Sequence, residues 1–353
     1  MQQYLSDKLR VISLVSMVLV LYIHAGFHAG EIAGMTALDY LQRFLSGRLG
    51  RCAVPLFYLI SGYLFFLAVP NGFRSILGKI KKRLRTLLIP YIIGCVFFVA
   101  FGVGVALVPS TARFMNSTLL PLLHRPVTDV LYAIFYDAGN GMPCAFHLWF
   151  LRDLLLTVLT SPLWYLCLKR LKWMFVLVTF VLTYIPIPWL PFQPLFWFVL
   201  GGSMVSVGLS TLGTRTTTSA TALFLFLSLA QLFMPTLIPW HLLNIPITLL
   251  GIVAVWGLYD LMAGRHFELS AHRLLATSCH FVFFIYLFHE PTINIVRKLI
   301  VVALGTNVVG YTTSYLLSPW VFMACAVAVG VVFRRSLPAV YRFCTGGRWG
   351  ACS

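Results

Sequence analysis

Long apolar runs separated by short polar clusters dominate this chain. Residues 89–101, for example, carry no charged side chain and show no alternation of apolar and polar positions. A helix that crosses roughly 30 Å of hydrocarbon needs about 20 mostly apolar residues. Ten stretches approach that length: residues 11–27, 53–69, 86–108, 147–168, 173–188, 192–209, 220–234, 240–262, 274–290 and 311–333. Helix is the expected element, because backbone groups left unpaired in lipid are costly. Outer-membrane strands would alternate at every second residue. Residues 293–304 are apolar apart from Asn294, Arg297 and Lys298, so they either prolong the ninth helix past Pro291 or form a separate interfacial helix. The pattern predicts an all-α polytopic membrane protein with about ten spans, between nine and eleven. It is expected to be one domain over residues 1–353, with no appended soluble domain.

Composition agrees. Charged residues are 10% of the chain and hydrophobic residues 60%, against roughly 25% charged in an ordinary soluble domain. That leaves too little polar material to coat a soluble surface, which excludes a cytosolic enzyme, a disordered chain and a secreted disulfide scaffold. The net charge of +17 is explained by topology. With the N-terminus cytoplasmic, 18 of the 26 Lys and Arg residues fall on the cytoplasmic side, as the positive-inside rule requires. Both termini are therefore expected in the cytoplasm, and no nucleic-acid partner is expected. Residues 11–27 have a basic flank like a signal peptide, but the apolar stretch is long and no clean cleavage pattern follows, so it reads as a retained span. The eight Cys residues form no C-x-x-C. Cys52 and Cys144 both fall near the non-cytoplasmic face, which leaves a disulfide between them open. No metal site is expected.

Ionisable groups at membrane depth are expensive and usually functional. His24 lies about 21 Å along a helix from Arg10, in the outer half of the first span. His147 opens the fourth span from the outer side, and His289 and Glu290 close the ninth there. Arg51 enters the second span from that side, with Ser61 about 15 Å deeper. Four segments thus bring polar groups to one face, as a site between helices would require. Each also has a plain structural reading: a hydrogen-bonded buried histidine, an interfacial anchor, or a snorkelling arginine. Asp153 reads as a partner for a nearby Arg. His280 and Asp260 receive no role. On the opposite side, residues 74–85 include Lys79, Lys81, Lys82, Arg83 and Arg85. This segment either anchors the chain on anionic lipid or receives a phosphorylated ligand, and both can hold.

Four stretches together resemble the acyltransferase family 3 membrane proteins, which O-acylate bacterial surface polysaccharides and related acceptors. They are Leu21-Tyr22-Ile23-His24; Arg51-Cys52-Ala53-Val54-Pro55-Leu56-Phe57 running on to Ser61-Gly62-Tyr63; His147-Leu148-Trp149-Phe150-Leu151; and Ile285-Tyr286-Leu287-Phe288-His289-Glu290-Pro291. The basic segment ending in Arg85, before Leu87-Leu88-Ile89-Pro90-Tyr91, resembles the family's connection between spans two and three. The likeness covers essentially the whole chain. One departure stands out: the family usually has a basic residue eleven positions before the first-span His, and this chain has Ser13 there, with Arg10 one turn earlier.

The resemblance implies an acyl-CoA cosubstrate, acetyl-CoA first, with no permanently bound cofactor. Its phosphates would meet Arg10, Lys81, Lys82, Arg83 and Arg85. The acceptor would be a glycan or lipid-linked saccharide at the outer face of a bacterial inner membrane, with membrane lipids as the other partner. His24 would act as general base or carry the acyl group. His289 or Glu290 would orient it or bind the acceptor, His147 would belong to the same catalytic set, and Arg51 and Ser61 would stabilise the oxyanion or hold sugar hydroxyls. A transporter or flippase for a lipid-linked saccharide is the alternative, since intramembrane His, Arg and Glu also suit a polar conduit. A structural subunit of a glycan-assembly complex is a third reading.

Overall fold

A computed structural model describes residues 3–67, 73–108, 126–136, 141–185, 192–208, 211–236, 239–264 and 267–347. Arg113, Arg125, Arg265 and Arg348, which enter the charge count above, lie outside the described residues. The described residues contain helices and no strand. The helices are α1 (Gln3–Ala25), α2 (Thr36–Phe44), α3 (Ala53–Leu67), α4 (Phe73–Leu107), α5 (Val127–Phe135), α6 (Trp149–Leu159), α7 (Ser161–Leu171), α8 (Trp173–Leu182), α9 (Phe192–Val207), α10 (Thr214–Phe233), α11 (Trp240–Ala263), α12 (Arg273–Leu304), α13 (Val308–Ser336) and α14 (Pro338–Cys344).

All ten apolar stretches are mainly helical in their described parts. Seven helices are long and apolar enough to cross a bilayer, or eight if α6 and α7, with the turn before them, form one span bent by 63°. The remaining stretches are the shorter helices α8 and α9. The described residues therefore hold seven or eight candidate spans by length and composition, and a count of about ten is not confirmed among them. Helix α9 has 16 residues and reaches about 24 Å at 1.5 Å per residue, less than the hydrocarbon thickness. Residues 293–304 prolong the ninth span: α12 runs on to Leu304 through a break at Glu290, where φ is −105° and ψ is 137°. Pro291 explains the break, because its ring disfavours helical geometry at the residue before it.

Helix α1 is central, packing against α3, α11, α12 and α13. Helices α3 and α9 approach until backbone meets backbone. A Cβ built on Gly62 would lie 2.0 Å from the Phe198 carbonyl oxygen, and one on Gly201 would lie 2.0 Å from that of Leu59. Glycine is required at both positions, as in small-residue seams between membrane helices.

The basic segment is not a connection. Helix α4 begins at Phe73 and has 35 residues, about 52 Å of helix, so its first turns extend past the hydrocarbon. Lys and Arg are good helix formers, and the span simply continues into them. Lys79 donates to the Phe65 carbonyl and pins α4 to the end of α3.

Lys8 and Asp260 form a buried ion pair at 2.7 Å, their side chains 1% and 6% exposed. Asp260 also accepts from the Tyr4 hydroxyl at 2.6 Å and the Leu212 N–H at 2.9 Å, and Lys8 Nζ sits 3.9 Å from the centre of a Trp256 ring. Sequence reading gave Asp260 no role. Its partner is 252 residues away, a separation at which no local spacing reports the pairing. Removing one partner of a buried pair typically costs about 3–5 kcal/mol, because a charge is stranded. Asp260→Ala is expected to lower the thermal midpoint of the detergent-solubilised protein sharply. Lys8→Met combined with Asp260→Leu is expected to recover most of the loss.

Cys52 and Cys144 are not joined. The Cys52 sulfur is directed at the carbonyls of Arg48 and Thr248, at 3.9 and 3.8 Å, so the disulfide left open by the sequence does not form.

Candidate active site

Three histidines and one carboxylate meet where α1 ends, α6 begins and α12 breaks. His24 is in the last turn of α1. Its Nδ1 is 3.0 Å from Glu290 Oε1. Glu290 Oε2 accepts from Asn294 Nδ2 at 2.7 Å, so both carboxylate oxygens are held. The His289 ring lies 4.7 Å from that of His24 and 5.0 Å from that of His147, near perpendicular to both at 71° and 84°. His147 sits in the short turn Phe146–Leu148 ahead of α6. Its carbonyl accepts from the Tyr286 hydroxyl at 3.2 Å, and Phe98 packs 5.4 Å from its ring.

The break in α12 makes this possible. An unbroken helix would carry Glu290 on round the cylinder; instead Glu290 turns to α1 while His289 stays in the core. Arg297, two turns on, donates to the Gly26 carbonyl and lies over the Phe27 ring at 4.6 Å. It thereby fastens the second half of α12 to the end of α1. The Ser314 hydroxyl donates to the Arg297 carbonyl at 2.7 Å.

The His24 side chain is 18% exposed and that of Glu290 3%. His147 and His289 are buried. His289 Nδ1–H donates to the Tyr286 carbonyl at 2.7 Å. Nε2 of His289 is buried without a hydrogen-bond partner, while the His147 ring is directed at the Leu287 backbone. Buried polar atoms normally find partners, so His289 Nε2, beside a partly accessible His24, retains hydrogen-bonding capacity.

The structure thus joins His24, His147, His289 and Glu290, and selects Glu290 as the group bonded to His24. It does not join Arg51 or Ser61 to them. Arg51 is exposed and lines a separate cavity with Trp149 and Trp197. Ser61 is half-buried on α3, with no partner in the cluster among the described residues. Asp153 pairs with Arg152 at 2.8 Å, as its sequence position suggested. Asn294 escaped sequence reading; its spacing of four after Glu290 is the signal that marks it. At the other end, Lys81, Lys82 and Arg85 are exposed and Arg83 is half-buried. Positions 81 and 85 share one helix face. Arg10 is exposed and lies 4.0 Å from Asp7. Ser13 donates to the Leu9 carbonyl, so its hydroxyl is engaged within its own helix.

Comparison with known proteins places this geometry in context. The family model described as an acyltransferase domain matches residues 7–335. The succinoglycan biosynthesis protein ExoH of Rhizobium meliloti (strain 1021) is 27% identical over 334 residues, covering 89% of this chain and 84% of that protein. No solved structure matches the chain significantly.

Proposed function

The chain belongs to the acyltransferase family, and from that premise we propose that it is a membrane O-acyltransferase moving an acyl group, acetyl first, from acyl-CoA to a hydroxyl of a cell-surface or lipid-linked glycan. The observation that carries this reading is the contact of His24 with Glu290 at 3.0 Å, beside a buried His289 Nε2 without a partner. A carboxylate at Glu290 accepts from Nδ1–H, which leaves the Nε2 lone pair for the substrate. This is the base-plus-orienter arrangement of nucleophile activation. Nε2 takes the proton of the sugar hydroxyl as its oxygen attacks the thioester carbonyl. The carbon–oxygen bond forms, the carbon–sulfur bond breaks, and the proton passes to the departing CoA thiolate. With one His147 nitrogen directed at the Leu287 backbone, its other nitrogen is left to accept from the acceptor. His289, with Nδ1–H engaged, has Nε2 left to accept from the acceptor.

The donor enters at the opposite end, where the exposed Lys81, Lys82 and Arg85 meet its phosphates. On this reading α4's basic turns and both termini face the cytoplasm of a bacterium, and the His24 end faces outward from its inner membrane. The similarity to a succinoglycan biosynthesis protein supports an exopolysaccharide acceptor. Membranes containing the protein, incubated with acyl-labelled acetyl-CoA and the producing cell's glycan, are expected to yield glycan carrying label that mild alkali releases, as an O-ester requires. Glycan that crosses the membrane without gaining an acyl mass would overturn the reading in favour of transport.

A further inference from the structure

The cavity that Arg51 lines opens near the histidines, at the same end of the bundle. It has a volume of about 330 Å³, within the range of small-molecule sites. Its walls come from the end of α1, the turn before α3, and the facing ends of α6, α8, α9 and α11. Ile23, the neighbour of His24, forms part of the wall. Trp149 lies two residues beyond His147.

The chemistry of the lining is specific. Trp149, Trp197 and Tyr184 supply aromatic surface that suits the C–H faces of a sugar ring. Gln193, His241 and Asn244 supply hydrogen-bonding groups around that surface. Asn244 Oδ1 accepts from Gln231, while its amide N–H groups have no partner among the described residues.

Charge distinguishes the cavity further. Arg51 lines it, and Arg48 lies three residues before. Neither guanidinium has a carboxylate partner among the described residues. Among the described residues no carboxylate lines the cavity, and Asp39, Asp153 and Glu290 are engaged with Arg43, with Arg152, and with His24 and Asn294. Arg48 Nε is also buried without any hydrogen-bond partner. Two guanidinium groups close enough to repel each other, one exposed at the cavity and one with a buried unused donor, favour a bound anion.

We infer that this cavity is the acceptor subsite and that the saccharide it takes bears an acidic group, a uronate or comparable carboxylate, held by Arg51 and Arg48. The inference rests on the acyltransferase reading for the word acceptor, but the binding itself needs no chemistry. The saccharide stacks on the aromatic walls, its carboxylate meets the Arg51 guanidinium with Arg48 behind it, and the hydroxyl to be acylated reaches past Ile23 toward His24.

The test is calorimetric titration of the full chain in phosphatidylcholine nanodiscs with two probes of equal length, an oligomer of glucuronic acid and a neutral glucose oligomer. The acidic probe is expected to bind about tenfold more tightly, the size of one charge-assisted hydrogen bond. Arg51→Gln is expected to abolish that preference and His24→Ala to keep it. Equal binding of the two probes, binding of neither, or a preference that survives Arg51→Gln would overturn the inference. In discs enriched in phosphatidylglycerol the preference should persist; if anionic lipid erases it, the arginines serve headgroups and the inference fails. Absence of the preference while acyl transfer still depends on His24 sinks this inference alone. A preference that stands while transfer is indifferent to His24 sinks the reading of the catalytic site.

Discussion

Replacing His24 by alanine is expected to reduce acyl transfer about 10²–10⁴-fold, the range typical of a positioned general base, while the amount of protein in the membrane stays unchanged. The structure gives reasons for both halves of this outcome. His24 is at the end of α1, part exposed, and its ring closes no large core cluster. Its Nδ1 is held by Glu290 at 3.0 Å, so what the substitution removes is the oriented Nε2. The measurement is the rate of labelled acyl transfer from acetyl-CoA to glycan, normalised to protein detected in the same membranes. Undiminished transfer by His24→Ala would end the assignment. His24→Gln is the stricter variant, because it keeps hydrogen-bonding capacity and bulk but cannot take a proton at neutral pH.

Glu290→Gln is expected to cost about 10²-fold or more with little change in protein amount. The substitution is isosteric and keeps a partner for Asn294. It removes the charge that fixes the hydrogen on Nδ1, and the new amide can donate to Nδ1 and reverse the imidazole tautomer. Losses of this kind are large where a carboxylate orients a catalytic histidine. Glu290→Asp restores the charge on a shorter arm and is expected to recover part of the rate. If Glu290→Gln and Glu290→Ala retain full transfer in the same acyl-transfer assay, the carboxylate does not orient His24.

Much of the architecture could be read from hydropathy alone, because lipid imposes the helix on any long apolar run. The boundaries and the span count were less accessible. The start of α4 is hidden because Lys and Arg end a hydropathy window without ending a helix. Helix α2 and the turns to Cys52 join α3 so closely that Thr36–Leu67 behaves as one long span, although residues 36–52 are too polar to be marked by hydropathy. The candidate site divides in the same way. Asymmetric placement of His24, His147 and His289 toward one end is a one-dimensional property, and the sequence shows it. Which of His289 and Glu290 faces His24 depends on the direction α12 takes after Pro291, which no periodicity reports. Arg51 was grouped with the histidines for lying at the same depth, but depth does not fix azimuth, and its place on the bundle belongs to the neighbouring cavity. The Lys8–Asp260 pair and the link from Arg297 to Gly26 join residues more than 250 positions apart, and only the folded chain reveals them.

The glycine seam between α3 and α9 has a bearing on motion. Two rods that touch main chain to main chain at Gly62 and Gly201 cannot shear or roll past one another without collision, so they form one stiff unit. Any opening that admits a thioester from one side and a sugar from the other is expected away from this joint, and the bend of α12 beside α1 is the break the chain already carries.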